Sequence, residues 1–128
     1  MAEVGFVGLG LMGGAASVRL VECGHRVTGY DIVEDKVRQA ERRGVQPGAS
    51  PADVTRRSQI VHICVMTSDD LEAAVFGDDG IAAGGTDGKV LIDHSTTPAA
   101  TTRAFAERLR GTAGMAWVDA PVSGGPPA

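Results

Sequence analysis

The chain has 128 residues, of which 43% are hydrophobic and 22% charged, the make-up of one globular domain large enough for a real core. A formal net charge of −4 argues against nucleic acid or an anionic membrane surface as the main partner, and no run approaches the roughly 20 apolar residues of a membrane span. No basic n-region or cleavage pattern precedes Glu3, so no secretory signal is expected and a reducing, cytoplasmic setting is the simplest reading.

In chain order, short β-branched runs alternate with helix-like segments. Residues 4–8 read as a buried strand, and residues 12–23 as an Ala-rich helix with no breaker after Gly14. A second strand spans 26–30. A helix over 33–43 follows, with Val33, Val37 and Ala40 on one face and Gly44 placed to end it. Ser50 and Pro51 have the chemistry of an N-cap and a first helical residue. A third strand spans 60–65, and Ser68-Asp69-Asp70 opens a helix that Gly77 closes. The last strands are expected at 90–93 and 116–119, with a helix opened by Thr97-Pro98 between them. Cys23 and Cys64 sit in apolar stretches and read as small buried hydrophobes, not as a disulfide.

Such alternation predicts an α/β domain, a doubly wound parallel sheet covered by helices on both faces. Ligands of these sheets bind outside the carboxyl ends of the strands, near the point where strand order reverses. The residues just after each strand are therefore the candidates.

Gly8-Leu9-Gly10-Leu11-Met12-Gly13 fits G-x-G-x-x-G. With 18 glycines in the chain the pattern alone is weak, but here a strand ends at Gly8 and a helix starts near Met12. Gly8 permits the tight turn, Gly10 lets a pyrophosphate approach the backbone, and Gly13 allows close helix–strand packing. The helix N-terminus then offers free N–H groups and a positive dipole end to phosphates. The plain alternative is a tight turn with no ligand.

Asp31 ends the second strand, where an acidic side chain meets the adenosine ribose. A carboxylate there repels a 2′-phosphate by up to about 4 kcal/mol at ~4 Å and an effective dielectric near 20. Position 32 is Ile, not a phosphate-binding Arg, and Lys36 lies a helical turn further on. NAD is therefore expected, with NADP less favoured. Asp31 could also cap the next helix, and the two roles are compatible.

On these residues the chain resembles the N-terminal domain of the β-hydroxyacid dehydrogenases. That family includes 3-hydroxyisobutyrate dehydrogenase, tartronate semialdehyde reductase and their 6-phosphogluconate dehydrogenase relatives. GFVGLGLMG (5–13), GHRVTGYD (24–31), LIDHSTTP (91–98) and VDAPVSGG (118–125) carry the match across nearly the whole chain. The resemblance implies a Rossmann-like domain over 1–128, ending before the all-helical C-terminal domain. It also implies that Gly8, Leu9, Gly10, Leu11, Met12, Gly13 and Asp31 hold the dinucleotide. By the same match Met66 and Thr67 lie beside the adenosine and Thr96 near the nicotinamide. Ser123, Gly124 and Gly125 would grip a small carboxylate substrate. A Ser-Gly-Gly turn suits that task on chemistry alone, since its N–H groups form an anion nest; otherwise it is a surface turn.

Some residues depart from the family pattern. Thr67 stands for the usual Pro, Arg19 for a common Asn, and His94 for a small or apolar residue before Ser-Thr. His94 is read as orienting its loop rather than as a catalyst, His25 as structural, and His62 as mid-strand. No metal-binding spacing is present. The family's proton-exchanging lysine, in G-x-G-x-x-x-K-x-x-N, has no counterpart, because Lys36 and Lys89 are the only lysines.

The expected function is the NAD-binding part of an oxidoreductase. Hydride would pass between NAD and a small 3-hydroxy acid of 3-hydroxyisobutyrate, tartronate semialdehyde/glycerate or L-threonate type. The 128 residues alone would then be inactive or weakly active. Alternatives are a non-catalytic dinucleotide-binding module, an imine reductase relative, which Asp31-Ile32 opposes, and a methyltransferase, which DAPVSGG and the Ser-Thr pair oppose. An open final strand would favour a homo-oligomer or self-association.

Overall fold

The computed structural model of the chain describes residues 2–121. Its sheet is all parallel, in the order β3-β2-β1-β4-β5-β6. The strands are β1 (Glu3–Val7), β2 (Arg26–Tyr30), β3 (Gln46–Pro47), β4 (Ile60–Ile63), β5 (Val90–Asp93) and β6 (Ala116–Asp119). The chain winds outward from β1 to β3, then crosses back to lay β4 along the other side of β1. The reversal falls between β1 and β4, and the connections at their carboxyl ends diverge there to open a crevice. This is the doubly wound, Rossmann-like arrangement expected from the alternation of elements.

Successive residues of β1 face opposite layers. Phe6 packs with Leu9, Val27, Val37, Ala40 and Val45 under α1 (Leu11–Glu22) and α2 (Glu34–Glu41). Val7 joins the larger core under α3 (Pro51–Arg56), α4 (Ser68–Phe76), α5 (Ile81–Gly84) and α6 (Ala99–Ala113). Leu71, Ile81, Leu91 and Leu109 are fully buried there. Each contributes about 2 kcal/mol of transfer free energy, which fixes the α4–α6 layer on the sheet. Among the described residues β6 is an edge strand, paired only with β5, and Val118 on it is exposed. No described helix is long and apolar enough to cross a membrane.

The boundaries follow local chemistry. β1 stops at Val7 because Gly8 takes φ +95°, a conformation L side chains avoid. β4 stops at Ile63, not at residue 65, because the Val65 amide leaves the ladder and donates to Ser95 Oγ at 3.0 Å. β3 and α5 were not expected from the sequence. β3 is two residues long and ends in Pro47, tolerable only on a sheet edge, and α5 is a single turn between Gly80 and Gly85. The cysteines also depart from the sequence expectation: Cys23, beyond the last turn of α1, is exposed, and Cys64 is only half-buried.

Ser50 and Asp53 close the start of α3 reciprocally. Ser50 Oγ accepts from the Asp53 amide at 3.0 Å, and Asp53 Oδ2 accepts from the Ala49 amide at 3.0 Å. At the other end of this helix Lys89 Nζ donates to the carbonyls of Thr55 and Ser58. Ser50→Ala leaves the Asp53 amide without its cap and is expected to lower stability by about 1 kcal/mol. A urea-denaturation midpoint unchanged by this substitution would contradict that role.

Candidate functional site

The glycine turn between β1 and α1 is held by contact distances that exclude side chains. A Cβ on Gly8 would lie 2.2 Å from the Cys64 carbonyl oxygen, and one on Gly13 would lie 2.0 Å from the Gly8 carbonyl oxygen. Gly10 differs, since a Cβ there would meet nothing within 4 Å. The protein itself therefore does not need glycine at position 10. Gly10 is the N-cap of α1 and offers no side-chain cap, and the first turn carries no acidic residue. The first amides of α1 and the positive end of its dipole are left free for an outside acceptor.

Asp31 ties this turn to the next one. Its Oδ2 accepts from the Leu9 amide at 2.7 Å and its Oδ1 from the Val33 amide at 2.8 Å. It does not cap α2, whose N-cap is Val33. The carboxylate instead pins the glycine turn to the exit of β2, with lone pairs on both oxygens still available.

Between these turns and the start of α4 lies a cleft of about 670 Å³. Gly8, Gly10, Leu11, Met12, Gly13, Asp31 and Met66 all line it, with Ile32, Lys36 and Cys64. Leu11, Ile32 and Met66 are 75%, 89% and 89% exposed. Three bare apolar side chains around one crevice suit a flat apolar ligand group. Leu9 contributes only its amide, because its side chain is in the core. Thr67 is the N-cap of α4, its Oγ1 accepting from the Asp70 amide at 3.0 Å. Thr96 is exposed beyond β5 and is not among the residues lining the cleft. Ser123, Gly124 and Gly125 lie outside the described residues. Burial pushes the Cys64 thiol up, so it is not a thiolate at neutral pH. No cluster of potential metal ligands occurs among the described residues.

A second polar group lies at the carboxyl ends of β4 and β5. Asp93 is fully buried; its Oδ1 accepts from the Ser95 amide at 2.9 Å, and burial pushes its carboxyl up. His62 and His94 meet at 2.8 Å between Nδ1 and Nε2. Their ring centroids are 5.1 Å apart and the planes differ by 7°, so at that N···N distance the rings meet edge to edge. Phe6 stacks on His62 at 4.7 Å. This pairing was missed in the sequence, although Phe6 and His62 share a rung of adjacent strands once the register is known.

The family model for the NAD-binding domain of 6-phosphogluconate dehydrogenase matches residues 3–128. The chain belongs to that family. The chain is thus an NAD-binding domain of the β-hydroxyacid dehydrogenase group, with the Rossmann-like sheet order described above. An uncharacterized oxidoreductase from Shewanella frigidimarina is 40% identical over 98% of this chain and 43% of its own length. The L-threonate dehydrogenase of Cupriavidus necator is 34% identical over 96% of this chain and 41% of its own. Among solved structures, 3-hydroxyisobutyrate dehydrogenase from Mycobacterium tuberculosis with L-serine superposes with a TM-score of 0.88 at 30% identity. It covers 98% of this chain and 42% of that one. The chain spans less than half the length of these relatives.

Burial, and next to it the charge of His94, hold His62 down at about 4 from its ordinary 6.5. Between those values an unfolded NAD-binding domain takes up a proton at this site and the folded one does not. Stability is therefore fully present above about pH 6.5 and falls as the pH drops through about 4. His62→Phe is expected to flatten that part of the stability profile. An unaltered acid limb in thermal unfolding would contradict it.

Proposed function

We propose that this domain serves a dehydrogenase that moves hydride between NAD and a small 3-hydroxy acid of 3-hydroxyisobutyrate, glycerate or L-threonate type. The observation that carries the reading is the pairing of an uncapped helix start at Gly10 with a carboxylate at Asp31 across one apolar-rimmed cleft. The open space at Gly10 is the fit test for a dinucleotide, because a pyrophosphate is the group that needs bare backbone there. NAD, when bound, supplies the hydride acceptor or donor.

The residues of this chain do the holding. The amides of Leu11, Met12 and Gly13 receive the pyrophosphate, and the free lone pairs of Asp31 receive the adenosine ribose hydroxyls. Ile32 and Met66 flank the adenine with apolar surface, and Thr67 shapes the same wall by fixing the start of α4. Thr96 faces the nicotinamide end, and Ser123, Gly124 and Gly125 bind the substrate carboxylate. Neither lysine supplies the proton step. Lys89 is spent on the carbonyls at the end of α3, and Lys36 belongs to the dinucleotide cleft.

Asp31 gives this reading its selectivity. A 2′-phosphate beside the carboxylate costs up to about 4 kcal/mol at ~4 Å and an effective dielectric near 20. Only part of that survives solvation, so NAD is expected to bind at least about tenfold tighter than NADP, a difference of ~1.4 kcal/mol. Asp31→Ala would also release the Leu9 and Val33 amides and should weaken both cofactors together. Ile32→Arg is the cleaner variant, since it adds a phosphate donor on an exposed site and leaves Asp31 in place. Calorimetric titration is expected to show the NAD preference shrinking in this variant. Equal affinities in the unmodified protein would refute the assignment of Asp31.

A further inference from the structure

The ladder between β5 and β6 breaks where their chains leave the sheet. The Ala120 amide donates to the Asp93 carbonyl at 2.8 Å, which continues the parallel pattern. The next rung of a parallel ladder would run from the Ser95 amide to the Ala120 carbonyl. That amide is already taken by Asp93 Oδ1 at 2.9 Å. The carbonyl it would have met is bonded by a side chain instead, His94 Nδ1 at 3.1 Å.

This contact fixes the hydrogens on both imidazoles. A carbonyl oxygen only accepts, so His94 Nδ1 carries a hydrogen. In neutral His94 the other nitrogen, Nε2, is then an acceptor, and the 2.8 Å contact is donated by His62 Nδ1. His62 is itself held by the face of Phe6, which is buried in the core. Phe6, His62, His94 and Ala120 thus form one directed chain from β1 across β4 and β5 to β6.

We propose that His94 and His62 are positioning residues. His94 clamps the exit of β6 to the exit of β5 through the Ala120 carbonyl, and His62 locks His94 in the tautomer able to do it. The proposal rests on the dehydrogenase reading in one respect: the two exits lead to Thr96 and to Ser123, the groups assigned to the nicotinamide and the substrate. The clamp holds Ala120, three positions before Ser123 in the sequence, against the exit of β5, and it touches neither ligand.

The test joins a long-range ¹H–¹⁵N spectrum of the imidazoles and the Kd for NAD to kinetics, with L-threonate and 3-hydroxyisobutyrate, of the full-length dehydrogenase that carries this domain. In the unmodified protein at neutral pH both histidines are expected to carry hydrogen on Nδ1. His62→Phe keeps the stack on Phe6 but removes the donor, so the His94 hydrogen should move to Nε2, the site free imidazole prefers. In that variant KM for the hydroxy acid should rise about tenfold, the equivalent of one net hydrogen bond, with the Kd for NAD unchanged. His62→Gln, whose amide can donate to Nε2, should restore the tautomer and part of the KM. Hydrogen on Nε2 of His94 in the unmodified protein overturns the clamp, as does an unchanged KM in His62→Phe. If the full-length enzyme turns over neither acid, the dehydrogenase reading fails, and the imidazole spectrum still decides the clamp.

Discussion

The turn from β1 into α1 is packed to the limit of atomic contact, and the rest of the cofactor face depends on it. The Gly13 backbone sits so near the Gly8 carbonyl that a methyl group would be 2.0 Å from its oxygen. Gly8 in turn lies against the Cys64 carbonyl just past the end of β4, which couples the turn to the strand across the reversal in sheet order. These two contacts aim the start of α1 at the crevice. Asp31 then fastens the same turn to β2 through the Leu9 amide. One carboxylate therefore has two tasks, shaping an apolar-rimmed cleft and presenting charge to whatever enters it.

The carboxyl ends of β5 and β6 use a different device. Around β5 the backbone gives up regular pairing, and side chains take over the abandoned groups. Ser95 Oγ serves the Val65 amide, Asp93 serves the Ser95 amide, and His94 serves the Ala120 carbonyl. Buried polar groups are costly when unpaired, so each substitution of a side chain for a ladder rung preserves stability while freeing the chain to leave the sheet. Asp93 is the energetic weak point of this arrangement, since its Oδ2 is buried and has no hydrogen-bond partner among the described residues. A carboxyl pushed up by burial lowers that cost by staying protonated further up the pH scale.

Much of this was legible in the sequence because it is local. A glycine forced by a turn, an acid at a strand end and a Ser-Pro helix start each announce themselves within a few residues. The strands at 26–30, 90–93 and 116–119 have the expected bounds for the same reason. β3 was illegible because two residues ending in proline carry no periodicity, and α5 because one turn between glycines looks like a loop. Leu9 shows the limit of reading a motif as a unit, since its amide faces Asp31 while its side chain belongs to the core. Cys23 was expected inside from its apolar neighbours, but beyond the last turn of α1 it lies outside the covered face. The His62–His94 pair needed the sheet register, which places positions 62 and 94 together only after β4 and β5 are aligned.

The most direct measurement of the central claim is an amide chemical-shift map of the protein on addition of NAD. The largest changes are expected at Leu9 to Gly13, at Asp31 to Val33 and at Met66, with little change at Lys89 and Gln59 on the opposite end of the sheet. Changes centred on that opposite end, or none in the glycine turn at saturating NAD, would contradict it.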